Sequence, residues 1–150
     1  MYRSGKIFKN VASVCYRQWR ADSHCKFDHG YALTFEYEFA SEKLDIRNWI
    51  FDFGGLKPLK LLLEQKFDHK TLAAEDDPHL NWYIQGANLG TVDLIIVPRL
   101  SCESFAKLGY DLALPIIKAN APWVDIVYCS AHEHEYNWGK YVNPKFDSKE

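Results

Sequence analysis

Alternation of apolar and polar residues gives the clearest prediction of secondary structure in this chain. Between Tyr31 and Phe39 every second residue is aromatic or leucine, and the residues between them are Ala, Thr and Glu. A period of two is typical of a strand in an antiparallel sheet with one buried face. Apolar runs predict further strands at residues 7–16, 92–97 and 124–132, and extended structure at residues 48–53.

Two other segments have the spacing of helices. Pro58 suits the opening turn of the first helix, whose apolar stripe is Leu56, Leu59, Leu63 and Phe67. The order of predicted elements is two strands, helix, strand, helix, strand. This order favours an α+β fold in which two helices cover one face of an antiparallel sheet.

The second helix is predicted to begin after Ser101, which suits the N-cap position. Glu103 then lies in the first turn, where the helix dipole favours a negative charge. Pro115 is expected to kink or shorten this helix. Its predicted apolar stripe is Phe105, Leu108, Leu112 and Ile116.

Composition restricts the possible partners of the protein. The 150 residues predict a single domain, 1–150, with a polar tail at about 144–150. The net charge is −2 and the basic residues are scattered, so we expect neither nucleic acid nor an anionic membrane as a partner. No stretch approaches the roughly 20 apolar residues of a membrane span, and the first residues lack the pattern of a signal peptide.

The four cysteines are widely separated and form no CxxC pair. They are Cys15, Cys25, Cys102 and Cys129. This spacing is typical of reduced thiols rather than of a disulfide framework, and it predicts a cytoplasmic protein.

The first candidate for chemistry is the segment Cys25-Lys-Phe-Asp-His29-Gly30. A loop cysteine flanked by His24 and Lys26 can have a lowered pKa and act as an acid, a base or a nucleophile. It can equally be a small residue without a role. His29 can bind a metal or simply satisfy a hydrogen bond, and Gly30 allows a close backbone approach.

Two further clusters contain histidine next to a carboxylate. In Asp68-His69 the carboxylate can fix the imidazole tautomer in a proton relay, or the pair can simply end a helix. In the run 132–135, alternation would place His132 and His134 on one face of the strand and the two glutamates on the other. The two histidines could bind a metal ion. Glu133 could accept two hydrogen bonds from the guanidine-like edge of a ligand. Alternatively, the run is simply an exposed polar end of the strand.

The order and spacing of these elements resemble the 6-pyruvoyltetrahydropterin synthase / 6-carboxytetrahydropterin synthase family of T-fold enzymes. That family has a Cys-x-x-x-His-Gly-His segment, which residues 25–31 match except at Tyr31. Its next signature is a strand ending in Asp-Phe-x-x-Leu-Lys, which residues 52–57 match completely.

Three more signatures follow in the family's order. A helix ending in Asp-His-x-x-Leu corresponds to residues 68–72, and a helix start Thr/Ser-x-Glu-x-x-Ala corresponds to residues 101–106. A glutamate followed eight residues later by tyrosine corresponds to Glu133 and Tyr141. The resemblance therefore runs over about residues 7–141.

The resemblance implies a fold and an activity. The T-fold joins the antiparallel sheets of several subunits into a barrel, usually as a homohexamer of two trimers, with sites between subunits. The implied substrate is 7,8-dihydroneopterin triphosphate or a related dihydropterin. The implied reaction is a lyase reaction that moves protons on the pterin side chain and releases triphosphate.

The resemblance also assigns roles to individual residues. Cys25 takes the place of the catalytic cysteine, and Asp68 and His69 take the place of the relay on the opposite face of the substrate. Glu133 is expected to hold the 2-amino/N3 edge of the pterin. Glu103 is a second candidate for substrate binding in the same pocket.

The chain departs from the family at the zinc site. The family binds zinc through three histidines, one near the end of the first strand and two in His-Gly-His. Here His29 is kept, Tyr31 stands at the last position, and Tyr16 aligns near the first. Zinc in the family polarises side-chain oxygens and acidifies the neighbouring C–H, and a zinc site normally needs three protein ligands.

Three interpretations of this departure are open. His24 can replace a ligand beside His29, with His132 or His134 nearby, so that zinc is bound. The two tyrosines can instead donate hydrogen bonds where zinc would lie. Or the chain binds a pterin or purine without the reaction. We expect retained pterin chemistry, most simply of the 6-carboxytetrahydropterin synthase type that leads to queuosine and other 7-deazaguanines.

Overall fold

A computed structural model of the protein describes residues 1–148. Its strands are β1 Tyr2–Tyr16, β2 His29–Ser41, β3 Lys70–Ala74, β4 Leu94–Val97, β5 Asp125–His132 and β6 Trp138–Val142. Its α-helices are α1 Lys57–Phe67, α2 Leu80–Asn88 and α3 Cys102–Asn120. Short 3-10 helices occupy His24–Lys26, Phe53–Leu56 and Pro144–Phe146. The predicted polar tail therefore begins with a 3-10 helix, and its last two residues lie outside the described range.

The strands form one six-stranded sheet in the order β4-β3-β1-β2-β5-β6. The pairs β1–β2, β2–β5 and β5–β6 are antiparallel, whereas β1–β3 and β3–β4 are parallel. The predicted α+β class is confirmed, but the sheet is mixed rather than wholly antiparallel. The parallel β3–β4 pair follows from α2, because β3–α2–β4 is a crossover unit and such units join parallel strands, and β3 also lies parallel to β1.

Neither β3 nor α2 was predicted. The sequence of β3 is Lys-Thr-Leu-Ala-Ala, in which the two alanines weaken the signal for a strand. Helix α2 has only 9 residues, and its N-cap, His79, makes no side-chain capping bond. Tyr83 is the buried residue of α2, and the sequence pattern alone does not reveal its burial.

The alternating residues of β2 form the centre of the core. Leu33, Phe35, Tyr37 and Phe39 have no accessible surface. Helices α1 and α3 pack on this face, and the predicted stripe of α1 is buried in full. Phe67 of α1 lies with its ring centroid 5.2 Å from Phe35, and this contact joins helix to sheet.

The predicted stripe of α3 is displaced by one residue. Its buried positions are Phe105, Ala106, Gly109, Tyr110, Ala113 and Ile117, whereas the predicted Leu108, Leu112 and Ile116 are only half-buried. The reason is close packing: the Tyr37 hydroxyl donates to the carbonyl of Gly109 at 2.8 Å, which only a small residue allows. The helix also continues past Pro115 to Asn120 instead of ending there.

Residues 48–53 were predicted to be extended, but they belong to a folded loop. The Asp45 carboxylate accepts hydrogen bonds from the backbone N–H of Arg47 at 2.8 Å and of Trp49 at 3.1 Å. Asn48 has a positive φ of 63°, which this tight turn requires. Within the described residues, no helix combines the length and the apolar character that a membrane crossing needs.

The predicted N-cap of α3 is confirmed, because the Ser101 hydroxyl oxygen accepts a bond from the backbone N–H of Ser104 at 3.0 Å. We expect Ser101→Ala to lower the free energy of unfolding by about 1 kcal/mol, since one N–H of the first turn then loses its partner. Urea unfolding followed by circular dichroism measures this loss. Ser101→Thr keeps a capping hydroxyl and should lose clearly less; equal losses would show that the cap is not the cause.

Candidate active site

A cavity of about 600 Å³ lies where β1 ends, β2 begins and α3 begins. The turn between β5 and β6 forms its remaining wall. The side chains that line it come from these elements and from the loop after β1: Tyr16, Gln18, Ala21, Ser23, Cys25, His29, Tyr31, Leu100, Ser101, Cys102, Glu103, Glu133, Tyr136, Asn137 and Trp138. The cavity therefore collects chain segments that are more than 100 residues apart in sequence.

Four of the predicted site residues line this cavity: Cys25, His29, Glu103 and Glu133. Cys25 lies in the 3-10 helix His24–Lys26, whose N-cap, Ser23, accepts the Cys25 backbone N–H through its side chain. The thiol is exposed and is a free cysteine. Glu103 is exposed in the first turn of α3, as the sequence predicted.

Each oxygen of the Glu133 carboxylate accepts a side-chain hydrogen bond at the wall of the cavity. The Tyr16 hydroxyl donates to its Oε2 at 3.2 Å, and Nδ2 of Asn137 donates to its Oε1 at 3.1 Å. The backbone N–H of Glu133 also donates to the carbonyl of Asn137 at 3.1 Å. The loop conformation and the side chain of Asn137 therefore fix the direction in which Glu133 points.

Three aromatic rings form one corner of the cavity. Tyr16 and His29 are paired across β1 and β2, and Tyr31 follows His29 on the same face of β2. The ring centroid of Tyr16 lies 6.3 Å from that of His29 and 5.2 Å from that of Tyr31, and the last two are 4.7 Å apart. The two tyrosines and the histidine thus form one cluster of neighbouring rings.

The hydrogen bonds of His29 define its tautomer. Its Nδ1 lies 2.6 Å from the carbonyl oxygen of Phe27, which can only accept, so Nδ1 carries the proton. Nε2 then accepts from the Tyr31 hydroxyl. Both ring nitrogens of His29 are therefore engaged within the protein.

Both phenols of this corner stay protonated at neutral pH. Burial, followed by the charge of Glu133 among its neighbours, raises the pKa of Tyr31 to about 12. Burial raises the pKa of Tyr16 well above its ordinary value, because this side chain lies deeper in the protein. The tyrosines are consequently hydrogen-bond donors rather than anionic ligands.

The predicted pair Asp68 and His69 exists but lies away from the cavity. Nδ1 of His69 is 2.9 Å from Oδ2 of Asp68, and the His69 side chain is 84% exposed. The backbone N–H of Ser13 donates to Oδ1 of Asp68 at 2.9 Å, and this bond is the largest cause of the lowered pKa of Asp68. His69 has a positive φ of 58°, so the turn after α1 presents its imidazole to solvent.

The other histidines do not extend the aromatic corner. His24 is exposed and does not line the cavity. Nε2 of His132 lies 3.1 Å from the Ser130 hydroxyl, and β5 ends at His132, so the predicted alternation does not continue through Glu135. A second cavity of about 620 Å³ is lined by all four residues of this run, histidines and glutamates alike.

These residues do not fit a zinc ion. Among residues 1–148, no three His, Cys, Asp or Glu side chains are grouped so that they could hold a metal ion. The predicted ligands His29 and His24 therefore lack a third partner, and His29 has no free ring nitrogen. A phenol must lose its proton to bind zinc well, and the raised pKa values of Tyr16 and Tyr31 oppose this.

Sequence reasoning missed part of the cavity wall. Asn137, Tyr136 and Trp138 belong to the turn and strand after Glu133, where no strand was predicted. Gly139 was the available signal, because an isolated glycine in an aromatic stretch indicates close backbone approach. A Cβ at Gly139 would lie 2.3 Å from the backbone nitrogen of Glu103, so β6 packs directly on the first turn of α3.

Solved structures with the same fold include an uncharacterized protein from Wolinella succinogenes, with a TM-score of 0.80 and 18% identity, covering 95% of this chain and 98% of that one. The 6-pyruvoyl tetrahydropterin synthase of Plasmodium vivax has a TM-score of 0.62 and 12% identity, covering 95% and 99%. The 6-pyruvoyl tetrahydropterin synthase of Caenorhabditis elegans has a TM-score of 0.63 and 13% identity, covering 95% of each chain.

These structural likenesses show that the chain has the T-fold. No curated protein matches the sequence significantly. The sequence model of the 6-pyruvoyl tetrahydropterin synthase family, in contrast, matches residues 9–144. Since this match covers nearly the whole chain, the protein belongs to the 6-pyruvoyl tetrahydropterin synthase family.

Proposed function

We propose that the protein is a pterin synthase-like lyase that acts on 7,8-dihydroneopterin triphosphate or a related dihydropterin. The observation that carries this proposal is the opening of Cys25 and Glu133 onto one cavity of about 600 Å³. That volume lies within the usual range for small-molecule sites and accommodates a bicyclic ring. Membership of the 6-pyruvoyl tetrahydropterin synthase family supports this choice of substrate class.

Glu133 is the proposed anchor for the heterocycle. A carboxylate can accept two parallel hydrogen bonds from the 2-amino group and N3–H of a pterin, as carboxylates do from arginine. Tyr16 and Asn137 hold one carboxylate oxygen each, which orients the group before the ligand arrives. Glu103 lies on the same wall and is the second candidate for a contact with the ligand.

Cys25 is the proposed acid–base group for the pterin side chain. Its exposed position in a short helical turn leaves the thiol free to exchange protons with carbon atoms of a bound side chain. Loss of triphosphate follows when a proton leaves the neighbouring carbon and the C–O bond breaks.

Asp68 and His69 are proposed to complete the site of a neighbouring copy. The two form a hydrogen-bonded pair whose imidazole meets solvent in one chain, outside the cavity that holds Cys25. In a homo-oligomer, a trimer or hexamer, such a pair can approach the open side of the next subunit's cavity. The carboxylate would stabilise the imidazolium that forms when His69 takes a proton.

We assign the product to the 6-carboxytetrahydropterin branch, which leads to queuosine and other 7-deazaguanines, because the compact chain resembles bacterial members of the family. The alternative is a T-fold protein that binds a pterin or purine without catalysis. The absence of a third zinc ligand beside His29 and His24 among the described residues favours this alternative if the reaction requires zinc.

The decisive experiment is incubation of the purified protein with 7,8-dihydroneopterin triphosphate, with and without added zinc. Release of triphosphate with formation of a 6-carboxy- or 6-pyruvoyl-tetrahydropterin would support the lyase, and chromatography would identify the branch. Tight binding without release would establish the alternative. Neither binding nor release would contradict both.

The anchor role of Glu133 gives a quantitative prediction. We expect Glu133→Ala to weaken pterin binding by about 1.5–3 kcal/mol, roughly 10- to 150-fold, because a charge-assisted pair of hydrogen bonds is lost. Titration of pterin fluorescence measures the dissociation constant. Glu135→Ala removes a nearby carboxylate that does not line this cavity and should change affinity little. Equal affinities for the two variants would remove Glu133 from the binding site.

A further inference from the structure

We propose that Tyr16, His29 and Tyr31 form a metal-free clamp that positions the Glu133 carboxylate for its ligand. The proposal rests on the proposed role of Glu133 as anchor. It assigns a positioning function to two tyrosines at positions where a zinc site would need imidazoles. We call the three residues Tyr16, His29 and Tyr31 the phenol clamp.

The first support is the hydrogen-bond order within the phenol clamp. The carbonyl of Phe27 fixes the proton on Nδ1 of His29, and Nε2 accepts the Tyr31 hydroxyl. The imidazole therefore acts as an acceptor that orients a phenol, which leaves no lone pair for a metal ion. A metal would have to displace Tyr31 from His29 before it could bind.

The second support is the position of Tyr16. Its side chain is buried, with 5% of the residue exposed, and its ring packs edge-on against Phe105 at a centroid distance of 5.2 Å. A buried hydroxyl needs a partner, and Oε2 of Glu133 is that partner at 3.2 Å. Because the ring is buried and packed against Phe105, its hydroxyl orients one carboxylate oxygen.

The donors to the Glu133 carboxylate bind its two oxygens separately. Tyr16 binds one oxygen of Glu133 and Asn137 binds the other, so each oxygen keeps lone pairs for a ligand. Tyr31 lines the same cavity as this carboxylate, with its hydroxyl held by His29. The Tyr16 hydroxyl and the Asn137 amide thus hold the carboxylate through neutral donors alone.

Metal content tests the first half of the proposal. Protein treated with excess zinc and passed through a desalting column should retain well under one zinc per chain. Tyr16→His with Tyr31→His should retain about one, since three imidazoles then converge on one point. Adding His29→Ala to that double variant should remove the metal again.

Two outcomes of this measurement would overturn the proposal. Stoichiometric zinc in the unmodified protein that His29→Ala abolishes would show a metal site at the clamp. A folded double variant that binds no zinc would show that the tyrosines do not occupy ligand positions. Circular dichroism of each variant establishes that it is folded.

Ligand discrimination tests the second half. Pterin and lumazine share the bicyclic ring, but lumazine has an oxygen in place of the 2-amino group. The unmodified protein should prefer pterin, and Tyr16→Phe should reduce that preference by about tenfold, because Glu133 is no longer oriented. A purely structural defect would weaken the binding of both ligands equally and leave the ratio of the two affinities unchanged. An unchanged ratio in Tyr16→Phe would therefore contradict the proposal.

Tyr128→Phe is the matched control. The Tyr128 hydroxyl donates to Oε1 of Glu36 at 2.9 Å, so it is also a tyrosine–glutamate pair, but it does not line this cavity. Loss of the Tyr128 hydroxyl should leave the ratio of pterin affinity to lumazine affinity unchanged. If the unmodified protein binds neither compound, the proposed function fails, whereas the zinc measurement still decides whether the clamp is metal-free.

Discussion

Replacing Cys25 with alanine is expected to lower turnover by at least about 100-fold while leaving pterin affinity nearly unchanged. General acid–base groups typically contribute about 10²–10⁴ to a rate, and the thiol acts on protons of the side chain rather than on the ring that Glu133 holds. Steady-state release of triphosphate measures the first effect. Fluorescence titration with pterin measures the second.

Two other cysteines provide the controls for this prediction. Cys102 lines the same cavity, but burial raises its pKa to about 11, so it remains a thiol at neutral pH. Cys15 is half-buried in β1 and does not line the cavity. Alanine at either position should leave most of the turnover. Normal turnover in Cys25→Ala would show that another group moves the proton.

Gly139→Ala is expected to lower the free energy of unfolding by about 3 kcal/mol, or the midpoint temperature by roughly 6–12 °C. The added methyl would lie 2.3 Å from the backbone nitrogen of Glu103 and 2.6 Å from the carbonyl carbon of Cys102. Both are backbone atoms, so no side-chain rotation relieves the contact. Either β6 or the first turn of α3 must move, and the cavity wall moves with it.

Thermal unfolding of Gly139→Ala beside Gly55→Ala gives a matched comparison. A Cβ at Gly55 would meet no atom within 4 Å, so that variant should be as stable as the unmodified protein or slightly more stable. Equal midpoints for the two variants would contradict the close packing of β6 on α3. A loss of pterin affinity in Gly139→Ala alone would show that the packing also shapes the site.

The elements that the sequence predicted well are those with strong local patterns. Strand β2 shows a period of two, and all of its inward residues from Leu33 to Phe39 are buried. Helix α1 also has a strong local pattern, because its apolar residues recur at helical spacing and a proline lies in its first turn. In α3 the pattern gave the helix but not its buried face, because small residues such as Gly109 pack closest to the sheet.

Of the predicted site residues, Cys25, His29, Glu103 and Glu133 line one cavity, whereas His24, Asp68 and His69 do not, and this arrangement was not predictable from local sequence. Cys25 and Glu133 line one cavity, and only the pairing of strands brings their chain segments together. The separation of His69 from that cavity depends on the turn after α1, where the backbone N–H of His69 donates to the carbonyl of Ser13. Local sequence does not encode such long-range distances.

The distance of His69 from the cavity has a thermodynamic consequence. If the pair in each copy serves the cavity of the next, the ligand contacts two chains at once, and its binding energy is linked to self-association. Ligand would then favour the assembled form, and dilution would weaken binding without any change in the residues around the ligand. Catalysis would be a property of the assembly, set in part by the concentration of the protein itself.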